Sequence, residues 1–139
     1  MYQRAVPSLF AENVIESLIE RCGGVLHDLF KMIVIAGLAA VQKGVVQINN
    51  EFADYAFEQL KIRYRGMLTD EDKTGITTEM LYDKLVEVNR SETKVFTIDS
   101  VLMQLMGSLA VLEYNGEQWF DVHPAVKSIL KGMEKLENG

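Results

Sequence analysis

Few residues of this chain can do chemistry at neutral pH, so whether any of them stand together decides what class of protein it is. His27 and His123 are the candidates for proton transfer or metal ligation. They lie far apart in the sequence, and neither has a second ligand at the short spacings that metal sites use. Cys22 is the single cysteine, which excludes an intramolecular disulfide and leaves a thiolate metal site without partners. It is expected as a small buried apolar residue in a helix. Asp70-Glu71-Asp72 sets three acids in succession inside a polar stretch, where they are expected to be solvated. Serine, histidine and aspartate all occur, but no nucleophile elbow organises them. There is no G-x-x-x-x-G-K-[ST] phosphate loop, and no apolar strand ends in the paired acids that would hold Mg²⁺. The expectation is a chain that is not an enzyme by itself, with no cofactor and no metal of its own.

Helices carry most of these residues. Pro7 and Ser8 are expected to open the first, with Phe10, Val14, Leu18 and Cys22 as one apolar stripe, and Gly23-Gly24 stops it. A second helix spans about Val25 to Gln42. After Asp28 it is apolar nearly all round, apart from Lys31, and is expected as a hub covered on several sides. Gly44 ends it, and Asn49 or Asn50 caps a third helix burying Phe52, Ala56, Leu60 and Tyr64. Thr69 to Thr74 is the most polar linker. A fourth helix over Thr78 to Val88 buries Met80, Leu81, Leu85 and Val88, and Asp99 or Ser100 caps a fifth. Asn115-Gly116 sits between two short apolar runs, Ala110 to Tyr114 and Gln118 to Val122, the strongest short-range signal for a hairpin. His123 is expected to cap a last helix that starts at Pro124 and buries Ala125, Ile129, Met133 and Leu136. Three helices, a hairpin and a closing helix from residue 50 onward is the order of a winged helix-turn-helix. Of Trp119 and Phe120, one is expected to pack the wing onto the helices.

The 139 residues are 48% apolar and 24% charged, a composition that folds. A net charge of −6 argues against a sequence-independent hold on nucleic acid, which depends on Lys and Arg neutralising phosphates. The start of the chain lacks the apolar core of a signal peptide, and the most apolar run, Leu29 to Val41, falls short of the roughly 20 residues of a membrane span. The expectation is a cytoplasmic protein with no membrane partner.

Two segments together resemble a known family. Gly23-Gly24-Val25-Leu26-His27-Asp28-Leu29 is similar to the Gly-Gly-x-x-Arg-Asp-Leu signature in the lid of AAA+ ATPases related to the origin-recognition type. The stretch from Leu109 through Asn115-Gly116 and Trp119 to Pro124 resembles the wing and following helix of a bacterial group of those ATPases. The likeness covers roughly residues 8–131. It implies a mainly α chain that is a C-terminal piece of a longer protein: a helical lid-like subdomain over 1–48, then a winged-helix domain with a two-stranded β-hairpin wing over 49–139. It implies ATP and Mg²⁺ in the full-length protein, an upstream ATPase core as partner, and a nucleotide-facing site at Gly23, Gly24 and His27. His27 stands where the family has its sensor arginine, and an imidazole does not reproduce a fixed bidentate charge.

A winged helix that binds DNA lays its recognition helix in the major groove and its wing on phosphates. The candidate helix here, Asp99 to Ala110, has no Lys or Arg, and the wing offers Glu113 and Glu117. No arginine is placed there to read guanine. The expected role is therefore regulatory protein contact through a surface with Gln104, Ser108, Asn115, Gly116 and Trp119. The alternative is a DNA-binding module or small transcriptional regulator.

Overall fold

The helices begin and end where a few local hydrogen bonds make them. The structure, a computed structural model, describes residues 9–114 and 119–138, and the side chains as far as Glu134. Among the described residues the elements are α1 (Val14–Arg21), α2 (Leu26–Gln42), α3 (Asn50–Met67), α4 (Thr78–Arg90), α5 (Ser100–Gly107), strands β1 (Val111–Tyr114) and β2 (Trp119–Val122), and α6 (Pro124–Asn138). The chain is mainly helical with one two-stranded antiparallel sheet. It divides into two compact units, Met1–Leu60 and Lys61–Gly139, with the division inside α3.

In the first unit, α1 starts later than its apolar spacing suggests. Ser8 lies outside the described residues, and Phe10 is in extended backbone instead of on the helix. Ile48 N–H donates to Leu9 O at 2.7 Å and Ala11 N–H donates to Ile48 O at 2.8 Å, a short parallel bridge. These non-local bonds satisfy the backbone that a longer helix would have used. Asn13, left-handed at φ 68°, then admits the helix. Gly23 and Gly24, at φ 63° and 87°, end α1 as expected. Val14, Leu18 and Cys22 are buried, with Cys22 Sγ donating to Ile19 O at 3.0 Å. Arg21 reaches across to α3, its Nη1 2.9 Å from Asp54 Oδ1 and its guanidinium 4.9 Å above the Phe57 ring.

The hub expected of α2 is not there. Only the row Asp28, Met32, Ala36 and Ala40 is fully buried. On the opposite face Leu26, Phe30, Val34, Leu38 and Val41 are between 58% and 73% exposed. An i, i+4 row ending in two alanines brings neighbouring backbones close, and the large side chains point away from it. The third helix follows expectation: Asn49 Oδ1 accepts from Phe52 N–H at 3.3 Å, and Phe52, Ala53, Ala56 and Leu60 are buried.

In the second unit, Tyr64 of α3 and Leu68 just after it are buried, as are Leu81, Leu85 and Val88 of α4, Leu102 and Leu105 of α5, Phe120 and Val122 of β2, and Ala125, Val126, Ile129 and Leu130 of α6. Two side chains expected in this core are exposed. Met80 stays out because it serves the helix start, where its Sδ accepts from Thr77 N–H at 3.5 Å while Thr77 Oγ1 accepts from Met80 N–H. Met133 shares the face of Ile129 and Leu130 but lies a turn beyond them, and it is 38% exposed. Leu136 lies outside the described side chains.

Asp99 caps α5 by accepting from Leu102 N–H at 2.8 Å, and Lys84 Nζ stands 3.0 Å from its other oxygen. The Leu102 N–H first, then Lys84, hold the Asp99 carboxyl below its ordinary value. In the hairpin Val111 pairs with Val122 and Tyr114 with Trp119. A third segment joins it: Phe120 N–H donates to Lys94 O at 2.8 Å, and Val95 bridges Trp119. His123 is fully buried, 4.5 Å from the Tyr64 ring, and its Nδ1 accepts from Ala125 N–H at 3.0 Å, which caps α6.

Candidate functional site

The groups singled out at the α1–α2 turn stay together at the surface. Gly23 and Gly24 make the turn, and His27 follows in the first turn of α2 with most of its side chain exposed. Its Nδ1 is 4.0 Å from Asp28 Oδ1, the outer limit of ion pairing, and Asp28 itself is fully buried. An imidazole so placed is open to a ligand or partner from solvent. The other histidine, His123, serves the cap of α6 in the second unit. Among the described residues no group of three His, Cys, Asp or Glu side chains stands close enough to hold a metal ion, and no helix is long and apolar enough to cross a membrane.

The expected interaction surface on α5 and the wing is present in part. Gln104 and Ser108 are half-buried one turn apart, and Ser108 Oγ donates to Leu105 O at 3.1 Å, so its hydroxyl already serves the helix end. Asn115 and Gly116 lie outside the described residues. Trp119 is exposed on β2, edge-on to Tyr114 with ring centroids 5.6 Å apart, and it lies against Val95 through the bridge. Phe120 is the aromatic residue that is buried. Val95 and Ile98 ahead of α5, Met103 on it and Leu109 beyond its end are also exposed; Leu109 has the spacing of an apolar position on that helix, and the other three were not singled out in the sequence. Met103 had a signal, because α5 contains more large apolar residues than one buried face of two turns can use.

The charges near this surface are spoken for. Lys94, the cation nearest the hairpin, is mostly buried, with Nζ donating to Val88 O at 2.8 Å and Asn89 O at 3.0 Å and lying 3.1 Å from Asp121 Oδ1. Lys127 Nζ donates to Asp121 Oδ2 at 2.9 Å. Burial works to raise the Asp121 carboxyl, but hydrogen bonds from Lys127, Val122 N–H and Lys94 outweigh it and hold the group below its ordinary value. Lys84 is tied to Asp99 and Glu87, and Arg90 lies 3.6 Å from Glu134. Ion-paired cations of this kind neutralise protein carboxylates and not phosphates.

The first unit holds a further surface that hydropathy alone did not suggest. The five large apolar side chains along α2 form a continuous stripe, with Lys31 on its flank. Beside its C-terminal end a cavity of about 250 Å³ is lined by Ala39, Gln42, Phe52 and Tyr55, and the Lys43–Glu51 pair, 3.0 Å apart, stands at its wall. Soluble domains rarely leave contiguous apolar patches larger than a few hundred Å² without a use for them. Compared with protein-family models, curated proteins and solved structures, the chain matches none.

Proposed function

We propose that this chain is a non-catalytic protein-interaction region, the C-terminal lid and winged helix of an AAA+ ATP-binding protein, whose winged helix contacts protein and not DNA. The parentage rests on the paired sequence signatures at Gly23–Leu29 and Leu109–Pro124, and a hairpin standing between a capped helix and a closing helix is consistent with it. The observation that carries the interaction role is the surface of α5 and β2. Where a DNA reader needs cations, this one exposes Val95, Ile98, Met103 and Trp119, and Lys94 is held by Asp121 and two carbonyls. Exposed aromatic and methionine side chains are the residue types that anchor protein interfaces.

An electrophoretic shift assay on the full chain with duplex DNA at low salt tests this. No shift is expected at about 10 µM protein, within the range where non-specific binders already associate at physiological salt. Binding that weakens steeply with added salt overturns the reading. The purified chain is also expected to show no ATP turnover.

A further inference from the structure

We propose that Met80 is an oxidation site built into the start of α4, where a two-electron oxidant such as hydrogen peroxide turns a weak capping acceptor into a stronger one. The site rests on one turn of helix and is independent of the role given to α5 and the hairpin.

The start of α4 is a capping box with one unusual member. Thr77 Oγ1 accepts from Met80 N–H at 3.2 Å, and Met80 Sδ accepts in return from Thr77 N–H at 3.5 Å. In the usual box the residue three after the cap is Glu or Gln, whose side-chain oxygen takes the N–H of the cap residue. A thioether sulfur is a weak acceptor, so the return bond is the soft half of this box. The rest of the turn is held more firmly. Asp70 Oδ1 accepts from Thr78 N–H at 2.6 Å and from Thr78 Oγ1 at 2.9 Å, which ties the preceding loop to the same turn. Met80 is 43% exposed, whereas Met32 in the first unit is fully buried. Peroxide in solvent therefore meets the first and not the second.

The chemistry is oxygen transfer to sulfur. The Sδ lone pair that Thr77 does not engage attacks one peroxide oxygen, so an S–O bond forms and the O–O bond breaks. Sulfur is oxidised by two electrons and the peroxide is reduced. The proton on the transferred oxygen passes to the departing hydroxide, which leaves as water, and the product is the neutral sulfoxide. The flexible methionine side chain lets the new oxygen turn toward Thr77 N–H, where it stands in for the amide oxygen of Gln in an ordinary box. A neutral acceptor suits the position, because Asp70 and Glu79 already bring two carboxylates to this turn. At Met103, 62% exposed on α5, the same reaction only sets a polar group on an apolar surface, and no cap gains by it.

Treating the full chain with hydrogen peroxide at neutral pH tests this, with peptide mass mapping to order the sites and far-UV circular dichroism to confirm folding. Met80 sulfoxide is expected early, together with that of Met103, and Met32 sulfoxide last. Amide hydrogen exchange followed by NMR then reads the cap directly. Exchange at Thr77 is expected to slow about threefold or more on oxidation, the low end of what one hydrogen bond contributes. Met80→Leu keeps the other methionines but has no acceptor to gain, so peroxide leaves its Thr77 exchange unchanged. Met80→Gln, a neutral mimic of the sulfoxide, slows Thr77 exchange without any oxidant. The proposal is overturned if Met80 oxidises no faster than Met32, or if Thr77 exchange is unchanged or faster once Met80 is oxidised. A response of Met80→Leu to peroxide equal to that of the wild type overturns it too.

Discussion

Replacing Asp121 with Asn measures how firmly the hairpin is tied to α4 and α6. The carboxylate takes one cation on each oxygen, Lys94 at 3.1 Å and Lys127 at 2.9 Å. The side chains of Asp121 and Lys94 are 16% and 14% exposed, whereas that of Lys127 is 43% exposed. Exposed pairs contribute about 0–1 kcal/mol, while breaking a fully buried pair from one side costs about 3–5 kcal/mol. Lys94 keeps two carbonyl acceptors after the substitution, so D121N belongs between these limits, at about 2 kcal/mol. For a chain of this size that is a fall of about 6–10 °C in Tm. Lys127→Met should cost about 0.5 kcal/mol, because water already screens that side.

The assay is urea unfolding followed by the fluorescence of Trp119, the only tryptophan, two residues away on β2. Because the folded Asp121 is held below its ordinary value, the stability it contributes is complete above the unfolded value of about 3.9. It is lost as pH falls through the lower folded value. The gap between wild type and D121N is therefore widest at pH 7 and closes in acid. A gap under about 0.5 kcal/mol at neutral pH, or one that persists unchanged in acid, refutes the claim that this ion triad fastens the hairpin.

Substitutions at two further positions probe local structure. His123→Ala removes both a buried ring and the cap on α6 and should cost about 3 kcal/mol, whereas His123→Ser keeps a capping oxygen and should recover about 1 kcal/mol of that in the same urea experiment. Gly24→Ala has space for its methyl group but must hold φ 87°, so it should lose about 1 kcal/mol by thermal melting, read as helical ellipticity.

Features set by neighbours in sequence were legible before the structure. Asn49 and Asp99 cap their helices, Gly23-Gly24 breaks one, and His123-Pro124 starts another, because each involves atoms only a few residues apart. The errors lie where a distant partner competes. Phe10 has helical spacing with Val14, but Ile48 claims the backbone on either side of it. Lys94 and Asp121 each look like ordinary surface charges, and only the fold makes them a partly buried pair. Met80 has the spacing of a core residue and is held at the surface by a bond to its own cap residue.

The second helix shows why hydropathy could not locate the exposed face. A helix apolar on every side satisfies the pattern of a central core element equally well from any face, so period and composition cannot say which side is covered. Side-chain size carries the missing information. The row Asp28, Met32, Ala36 and Ala40 is the slim one, and a slim row lets α1 approach closely. The bulky row of Leu26, Phe30, Val34, Leu38 and Val41 would hold a neighbouring backbone further off, and it is the face that stays exposed.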